Sequence, residues 1–419
     1  MTFEEALRYY EELQGGGIRL GLARMERAME LAGNTHRRLR VVHIAGTNGK
    51  GSTARMIQSM LTAAGWRVGL FSSPAVTGVC DTMTVDGVPI PAETFAALTA
   101  TWRDRQPLMG DCGTLSEFEM LTALALEWFY SERVDICVLE CGLVGQEYAT
   151  NVCTPPLAAV LTPIALDHTA FLGDTVEAIA AVKCGIIKAP CQVITSPAQS
   201  PEALAVIYEQ VAQKGLTVRQ PARGAATLLS QRAGEITFAF AGEAYTVPLG
   251  GAFQVDNALM ALETVEALSN LFPVDTAAKK QGLAAATLPC RQEVVSRTPL
   301  RLIDGAHNPH GIAALAEALQ GEAKPLTLLF GMLRDKDTAA CAALLAPLAA
   351  RVVCCTPPSP RALPATELAA QFYTAGVAEV HAVDNPTEAL ALAQQLAGDN
   401  PLVVGGSFYT AAAVRPHLT

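Results

Sequence analysis

The sequence predicts an α/β protein: a P-loop domain built on a parallel sheet, followed by a smaller Rossmann-like α/β domain. Three observations predict it. Short β-branched apolar runs alternate with helical patterns, which implies mostly parallel sheets with helices on both faces. The string GTNGKGST (46–53) sits between the first such run and a helical pattern. A second strand–helix cycle begins near residue 300. At about 100–200 residues per domain, a chain of 419 residues fits two, expected as 1–290 and 291–419.

Residues 1–12 carry Glu4, Glu5, Glu11 and Glu12 and read as a short amphipathic helix. They have neither the basic leader nor the apolar stretch of a signal peptide. Residues 39–45 (LRVVHIA) are β-branched, stop at Gly46 and predict a buried strand. Residues 52–64 have helical spacing at Met56, Met60 and Leu61 and stop at Gly65. Val68–Phe71 is the next strand, 117–130 (EFEMLTALALEWFY) a helix, and 134–139 and 157–161 are strands. Asp174 and Glu177 have capping-box spacing for a helix running to Ile187. Residues 193–195 form a strand, and the alternating stretch 231–248 a hairpin. A linker is expected at 288–299, which holds Pro289 and Pro299. Then come the strand Leu300–Ile303, a helix over 311–319, the strand Leu326–Phe330, a helix, the strand 351–355, more helix and the strand 402–404.

Composition narrows the function classes. Half the residues are apolar and 17% are charged, so the chain can bury a sizeable core and is not disordered. The net charge is −10 and no run of Lys or Arg offers a stripe for a phosphate backbone, so no nucleic-acid partner is expected. No stretch approaches about 18 uninterrupted apolar residues, so no membrane span is expected. The 11 cysteines are scattered, with Cys137 and Cys141 four apart, Cys354 beside Cys355 and neither a CxxC pair. They read as reduced, mostly buried hydrophobes of a cytoplasmic protein.

The loop Gly46-Thr47-Asn48-Gly49-Lys50-Gly51-Ser52-Thr53 carries the sharpest chemistry. Glycines let backbone N–H groups turn toward phosphate oxygens, and a helix N-terminus adds partial positive charge. Lys50 adds a full charge, and the Ser52 hydroxyl can ligate Mg²⁺. The string departs from GxxxxGK[ST]: residue 44 is Ile, and Gly51 separates Lys50 from Ser52.

Further candidate places stand at predicted strand ends, on a helix and in the linker. Glu140, at the carboxyl end of a strand, reads as a Mg²⁺ ligand or a solvated carboxylate. His168, beside Asp167 at the same sheet edge, reads as a metal ligand or a structural histidine. Lys183 lies among Ala180, Ala181, Val182, Cys184 and Ile186. Burial would lower its pKa and make the amine nucleophilic, while the alternative is a snorkelling lysine. Asp304-Gly305-Ala306-His307-Asn308-Pro309 follows a strand directly and suits ribose or substrate contact. Arg291 in the linker can reach a phosphate or be a surface residue. The stretches 335–337 and 405–407 read as loops after strands.

Taken in order, these segments resemble the folylpolyglutamate synthase and dihydrofolate synthase family of the Mur-ligase superfamily. The resemblance runs from HIAGTNGKGS (43–52) to GGSFYT (405–410). Its most specific pieces are GTNGKGS, the strings within 166–188 (LDHTAFLGDTVEAIA and KCGIIK), DGAHNP (304–309) and FGMLRDKD (330–337). It implies a central Mur-ligase P-loop domain and a ligase that uses ATP to join L-glutamate to the γ-carboxylate of a folate through an acyl phosphate. It further implies that residues 46–53 hold the phosphates and that Ser52, Glu140 and His168 serve one Mg²⁺. Lys183 matches a lysine carbamylated in related ligases, where the carbamate helps hold a second Mg²⁺. Lys50 and the metals then neutralise the transferred phosphoryl group. Asn257, Arg291, Asp304 and His307 match nucleotide- or glutamate-side residues. ATP, Mg²⁺, a folate-like molecule and L-glutamate are the expected partners, and a monomer is expected.

The chain departs from the family's usual strings at Ala75-Val76 after Ser73-Pro74, at Asp81-Thr82, at Val144, Gln146, Glu147 and Tyr148, at Phe253 and at Cys290. Tyr148 stands where an acidic residue is usual for the pterin. These positions imply an acceptor pocket altered beside retained ATP and metal machinery.

Overall fold

The computed structural model describes residues 1–14, 19–142, 145, 147–153, 155–167, 172–322 and 325–418. In chain order its elements are α1 (Phe3–Gln14), α2 (Ala23–Leu31), β1 (Val41–Ala45), α3 (Lys50–Ala63), β2 (Val68–Phe71), β3 (Met83–Val85), β4 (Val88–Pro89), α4 (Ala92–Arg105) and α5 (Glu117–Ser131). β5 (Ile136–Glu140), β6 (Ala158–Leu161), α6 (Val176–Lys183), β7 (Gln192–Thr195), α7 (Pro201–Gln213) and β8 (Val218–Arg219) follow. Next are β9 (Thr227–Arg232), β10 (Glu235–Phe240), β11 (Glu243–Val247), α8 (Phe253–Ala267) and α9 (Thr276–Ala285). The chain ends with β12 (Glu293–Arg297), β13 (Leu300–Ile303), α10 (Pro309–Leu319), β14 (Leu326–Phe330), α11 (Thr338–Leu345), β15 (Ala349–Cys354), α12 (Ala365–Thr374), β16 (Glu379–Ala382), α13 (Pro386–Ala397), β17 (Leu402–Gly405) and α14 (Phe408–Val414).

The chain divides into two compact units: Met1–Ala226 with Asp256–Ala285, and Thr227–Val255 with Ala286–Thr419. In the first, the sheet order among the described residues is β4-β3-β2-β5-β1-β6-β7-β8, parallel from β2 through β8 and antiparallel at β3 and β4. β1 and β5 are buried along their whole length, as strands covered by helices on both faces must be. β1 sits between β5 and β6, so the loop after β1 leaves the sheet next to the ends of both. α3 buries Ala54, Met56, Ile57, Met60 and Leu61. Its partner α9 comes so close that a Cβ on Gly282 would lie 2.3 Å from Met60 Cα. α5 opens with a capping box between Ser116 and Glu119.

The second unit contains a three-stranded antiparallel sheet, β11-β10-β9, and a sheet ordered β12-β13-β17-β14-β15-β16. In the latter, β12 is antiparallel to β13 and the other pairs are parallel. The hairpin expected at 231–248 is β10 and β11, turning at Ala241 (φ 51°) and Gly242 (φ 82°). β9 joins it as a third strand, pairing with β10.

Two local expectations are corrected. The residue that caps α6 is Thr175, whose side chain accepts from the Ala178 N–H at 3.2 Å, and not Asp174. The expected linker at 288–299 contains β12, a strand of the second sheet. β9–β11 also belong to the second unit, although they precede residue 290. The Ala233 N–H donates to Glu322 Oε1 (3.0 Å) and the Gly234 N–H to Gln292 Oε1 (3.2 Å). All 11 cysteines are free thiols, eight of them buried. Among the described residues no helix is long and apolar enough to cross a membrane.

Candidate active site

The loop after β1 is shaped by its own backbone. Gly49 caps α3 in the left-handed region at φ 83°, and a Cβ there would lie 2.3 Å from Asn257 Oδ1. Asn257, on α8, is buried against the loop. The sequence expectation that loop amides face phosphate needs one correction. The Thr47 and Asn48 N–H groups donate to the Pro163 carbonyl (2.9 and 3.2 Å), which fastens the loop to the segment after β6. The Thr47 hydroxyl donates to Ala165 O at 3.1 Å. The first helical hydrogen bond of α3 runs from Thr53 N to Gly49 O (2.9 Å). The N–H groups of Lys50, Gly51 and Ser52 therefore have no helical acceptor, which is the arrangement that an anion can engage. Thr53 itself is fully buried. Lys50 Nζ folds back onto Thr47 O at 3.1 Å.

Glu140 ends β5, in register with Ile44 of β1, so its carboxylate emerges beside the loop. It is 4% exposed, and Oε2 lies 3.5 Å from where a Gly51 Cβ would stand. The Ser73 N–H donates to the same oxygen at 3.4 Å. A buried carboxylate next to the first turn that carries the Ser52 hydroxyl is the oxygen chemistry a hard dication requires. His168, the third expected ligand, lies outside the described residues. Among the described residues no group of three or more His, Cys, Asp or Glu gathers to hold a metal.

Lys183 ends α6 and is 4% exposed. Burial, reinforced by the positive charge of Lys50, lowers its pKa to about 8, while Cys141 and Asp167 oppose the shift. Of the two sequence readings of this lysine, snorkelling is set aside, because the amine does not reach water freely. A large neutral fraction of amine follows near pH 8.

In the second unit, Asp304 follows β13 with both oxygens engaged by backbone: Oδ2 accepts the Gln292 N–H (2.8 Å) and Oδ1 the Ala306 N–H (2.6 Å). Burial raises its pKa against these hydrogen bonds. Asp304 thus builds the turn on which Arg291 and His307 stand. The turn is strained on either side of Arg291, with Cys290 at φ 56° and Gln292 at φ 44°. The Gly305 N–H donates to Cys290 O (2.7 Å) and the Cys290 N–H to Glu293 Oε2 (2.9 Å). Cys290 and Gln292 are buried and Arg291 is exposed, so the strain aims one guanidinium outward. His307 Nδ1 lies 2.9 Å from Gly305 O. A carbonyl only accepts, so Nδ1 carries the proton and Nε2 is left as the basic nitrogen of the neutral ring. The loops expected at 335–337 and 405–407 end in helix caps: Asp337 caps α11 and Ser407 caps α14.

Residues 44–265 match the Mur ligase middle domain, and residues 290–407 the Mur ligase, glutamate ligase domain. The folylpolyglutamate synthase of Lacticaseibacillus casei is 37% identical over 409 residues, covering 92% of this chain and 91% of that one. The chain belongs to the folylpolyglutamate synthase and dihydrofolate synthase family of the Mur ligases. The dihydrofolate synthase/folylpolyglutamate synthase of Bacillus subtilis is 32% identical over 419 residues, with 96% of each chain covered. The Mycobacterium tuberculosis folylpolyglutamate synthase solved with ADP and AMPPCP superimposes with a TM-score of 0.82 at 32% identity, covering 99% of this chain and 98% of that one. The middle-domain match spans the loop after β1, Glu140, Lys183 and Asn257, and the glutamate ligase match spans Arg291, Asp304 and His307. Sequence reasoning missed Pro163, which clamps the loop with its carbonyl, and Gln292. A carbonyl role leaves no side-chain signature, and a positive φ at glutamine has no sequence cue.

Proposed function

We propose that this chain is an ATP-dependent ligase that adds L-glutamate to the γ-carboxylate of a (tetrahydro)folate. The observation that carries the proposal is the buried Glu140 carboxylate, whose Oε2 lies 3.5 Å from where a Cβ on Gly51 would stand, beside the lysine-bearing loop. In this reading the ATP-binding domain lies within residues 1–290 and the C-terminal ligase domain is 291–419, joined by β9–β11, and the enzyme acts as a cytoplasmic monomer.

A γ-carboxylate oxygen attacks the terminal phosphorus of ATP, ADP departs, and an acyl phosphate forms. The glutamate amine attacks the acyl carbon, the tetrahedral intermediate expels phosphate, and the amine gives up a proton as the amide forms. The loop 46–53 and Lys50 hold the phosphates and offset the charge that develops on the transferred group. Asn257, Arg291 and Asp304 serve the nucleotide, and His307 serves as a base through Nε2. Ser52, Glu140 and His168 would hold Mg²⁺, which supplies charge neutralisation to the phosphates when bound. Lys183 would add a carbamate to a second Mg²⁺ site: its neutral nitrogen attacks the carbon of CO₂, one proton is released, and a carboxylate remains. The depressed pKa supports this, because only the free amine reacts.

A panel of folates, dihydropteroate and amino acids, read by ADP release and by the mass of the product, tests the proposal. Glutamylated tetrahydrofolate is expected. No ligation of any reduced folate would remove the proposal. A second reading adds dihydrofolate synthase activity, the other half of the name the Bacillus subtilis relative carries. Tyr148 speaks against it. Its ring packs 4.6 Å from that of Phe118, and burial pushes its pKa up, so it offers a neutral phenol and no carboxylate. ADP release with dihydropteroate separates the two.

A further inference from the structure

We propose that Phe408 is a positioning residue for the ligase reaction, one ring that holds both the Arg291 guanidinium and the His307 imidazole in working orientation. The inference rests on the reading that places Arg291 and His307 in the site. Phe408 stands in the string GGSFYT (405–410), just past the matched glutamate ligase domain.

The geometry is local to the second unit. Arg291 Cζ stands over the Phe408 ring, 4.7 Å from its centroid. The His307 ring lies 5.9 Å from the same centroid, tilted by 59°. The ring also rests on the backbone of the turn that carries His307, since a Cβ on Gly305 would meet Phe408 Cε1 at 2.3 Å. A side chain at 305 and the ring could not coexist, so glycine there and phenylalanine at 408 are one arrangement.

Phe408 is itself fixed from below. It is the first residue of α14, which Ser407 caps by accepting the Thr410 N–H at 3.1 Å. The Thr410 hydroxyl donates to Gly331 O at 3.0 Å. Beyond the other end of α14, Arg415 donates three hydrogen bonds to Glu293 (2.6–3.0 Å), whose Oε2 also takes the Cys290 N–H. The short helix therefore grips the 290–293 turn at two points, through Phe408 at its start and Arg415 after its end. Arg291 is exposed and long, and without a surface to lie on its guanidinium would sample many rotamers. His307 has its Nδ1 fixed by Gly305 O, and the ring beside it limits rotation about the remaining axis.

The test compares Phe408→Leu, which keeps an apolar side chain and removes the ring face, with Phe408→Tyr, which restores it. Phe408→Leu is expected to raise KM for ATP about three- to tenfold and to lower kcat, with the melting temperature of the parent. Phe408→Tyr is expected to recover most of both losses. A merely structural residue would move the melting temperature and not split KM from kcat by ring identity. AMPPCP titration calorimetry on Phe408→Leu, Arg291→Ala and the double variant closes a cycle. The proposal expects the leucine change to weaken binding less once Arg291 is gone. Full additivity, or equal impairment of the tyrosine and leucine variants, would overturn the platform while leaving the site assignment standing. An Arg291→Ala variant with unaltered AMPPCP affinity and KM would overturn the assignment, and the platform with it.

Discussion

Two lysines have different surroundings, and the proposed function gives them different tasks. Lys50 folds its amine onto Thr47 O, within the loop that opens α3, and in the proposed reading it acts there as a charge. Removing one charge-assisted contact costs about 1.5–3 kcal/mol, so Lys50→Ala should weaken AMPPCP binding about 10- to 100-fold. Titration calorimetry with unchanged affinity would refute the assignment of the loop. Lys183 is buried, and its pKa is lowered to about 8. The neutral, CO₂-reactive fraction therefore rises with pH through that value and falls below it. ¹³C NMR in labelled bicarbonate should show a carbamate resonance that strengthens from pH 7 to pH 9 and is absent in Lys183→Ala. A Lys183→Ala enzyme partly restored by short carboxylic acids would agree, and wild-type activity untouched by CO₂ depletion would count against the carbamate. The glycine-rich setting of Lys50 was legible in the sequence, whereas the apolar helix around Lys183 left burial and snorkelling open until the fold showed it 4% exposed. The orientation of His307 was not legible: its proton position depends on a carbonyl two residues back, which only the folded turn brings to 2.9 Å.

At the scale of elements, β-branched runs marked the central strands, because a strand buried on both faces has no polar alternation to confuse it. β9 went unread because its sequence, TLLSQR, is exposed along nearly its whole length and pairs only as the outer strand of its sheet. α8 and α9 went unread as well, and α9 is the element that fixes the phosphate-loop helix from behind. Its Gly282 lets the backbones of α9 and α3 approach so closely that even a methyl group would stand 2.3 Å from Met60 Cα. Gly282→Ala must push the two helices apart. The gain in helix propensity, about 1 kcal/mol, is offset by overpacking of typically 1–3 kcal/mol. The expected outcome is a lower urea midpoint together with weaker AMPPCP binding, because α3 carries the anion-binding amides. A variant that is more stable than the parent and binds AMPPCP normally would show that the helix pair yields without strain.

Across the whole molecule, the boundary expected at residue 290 and the two compact units of the fold divide the chain differently around one segment. Residues 227–255 come before that boundary, yet their contacts lie with residues beyond it. Ile236, Phe238 and Val247 are fully buried in a sheet of three strands. Such a sheet needs a partner for its apolar face to be stable. Two backbone amides at its first turn are bound by Gln292 and Glu322, both lost if the chain stops at 290. A fragment 1–290 should therefore keep the parallel sheet of the first unit but expose the apolar face of β9–β11. It is expected to bind a hydrophobic dye and to self-associate in size-exclusion chromatography, which the full chain should not do. Exchanging Ile236, Phe238 and Val247 for threonine in the fragment should suppress the dye signal and restore a single monomeric peak. If the unaltered fragment is monomeric, dye-silent and as resistant to protease across 227–255 as the full chain, then those strands fold by themselves and the division at 290 is the physical one.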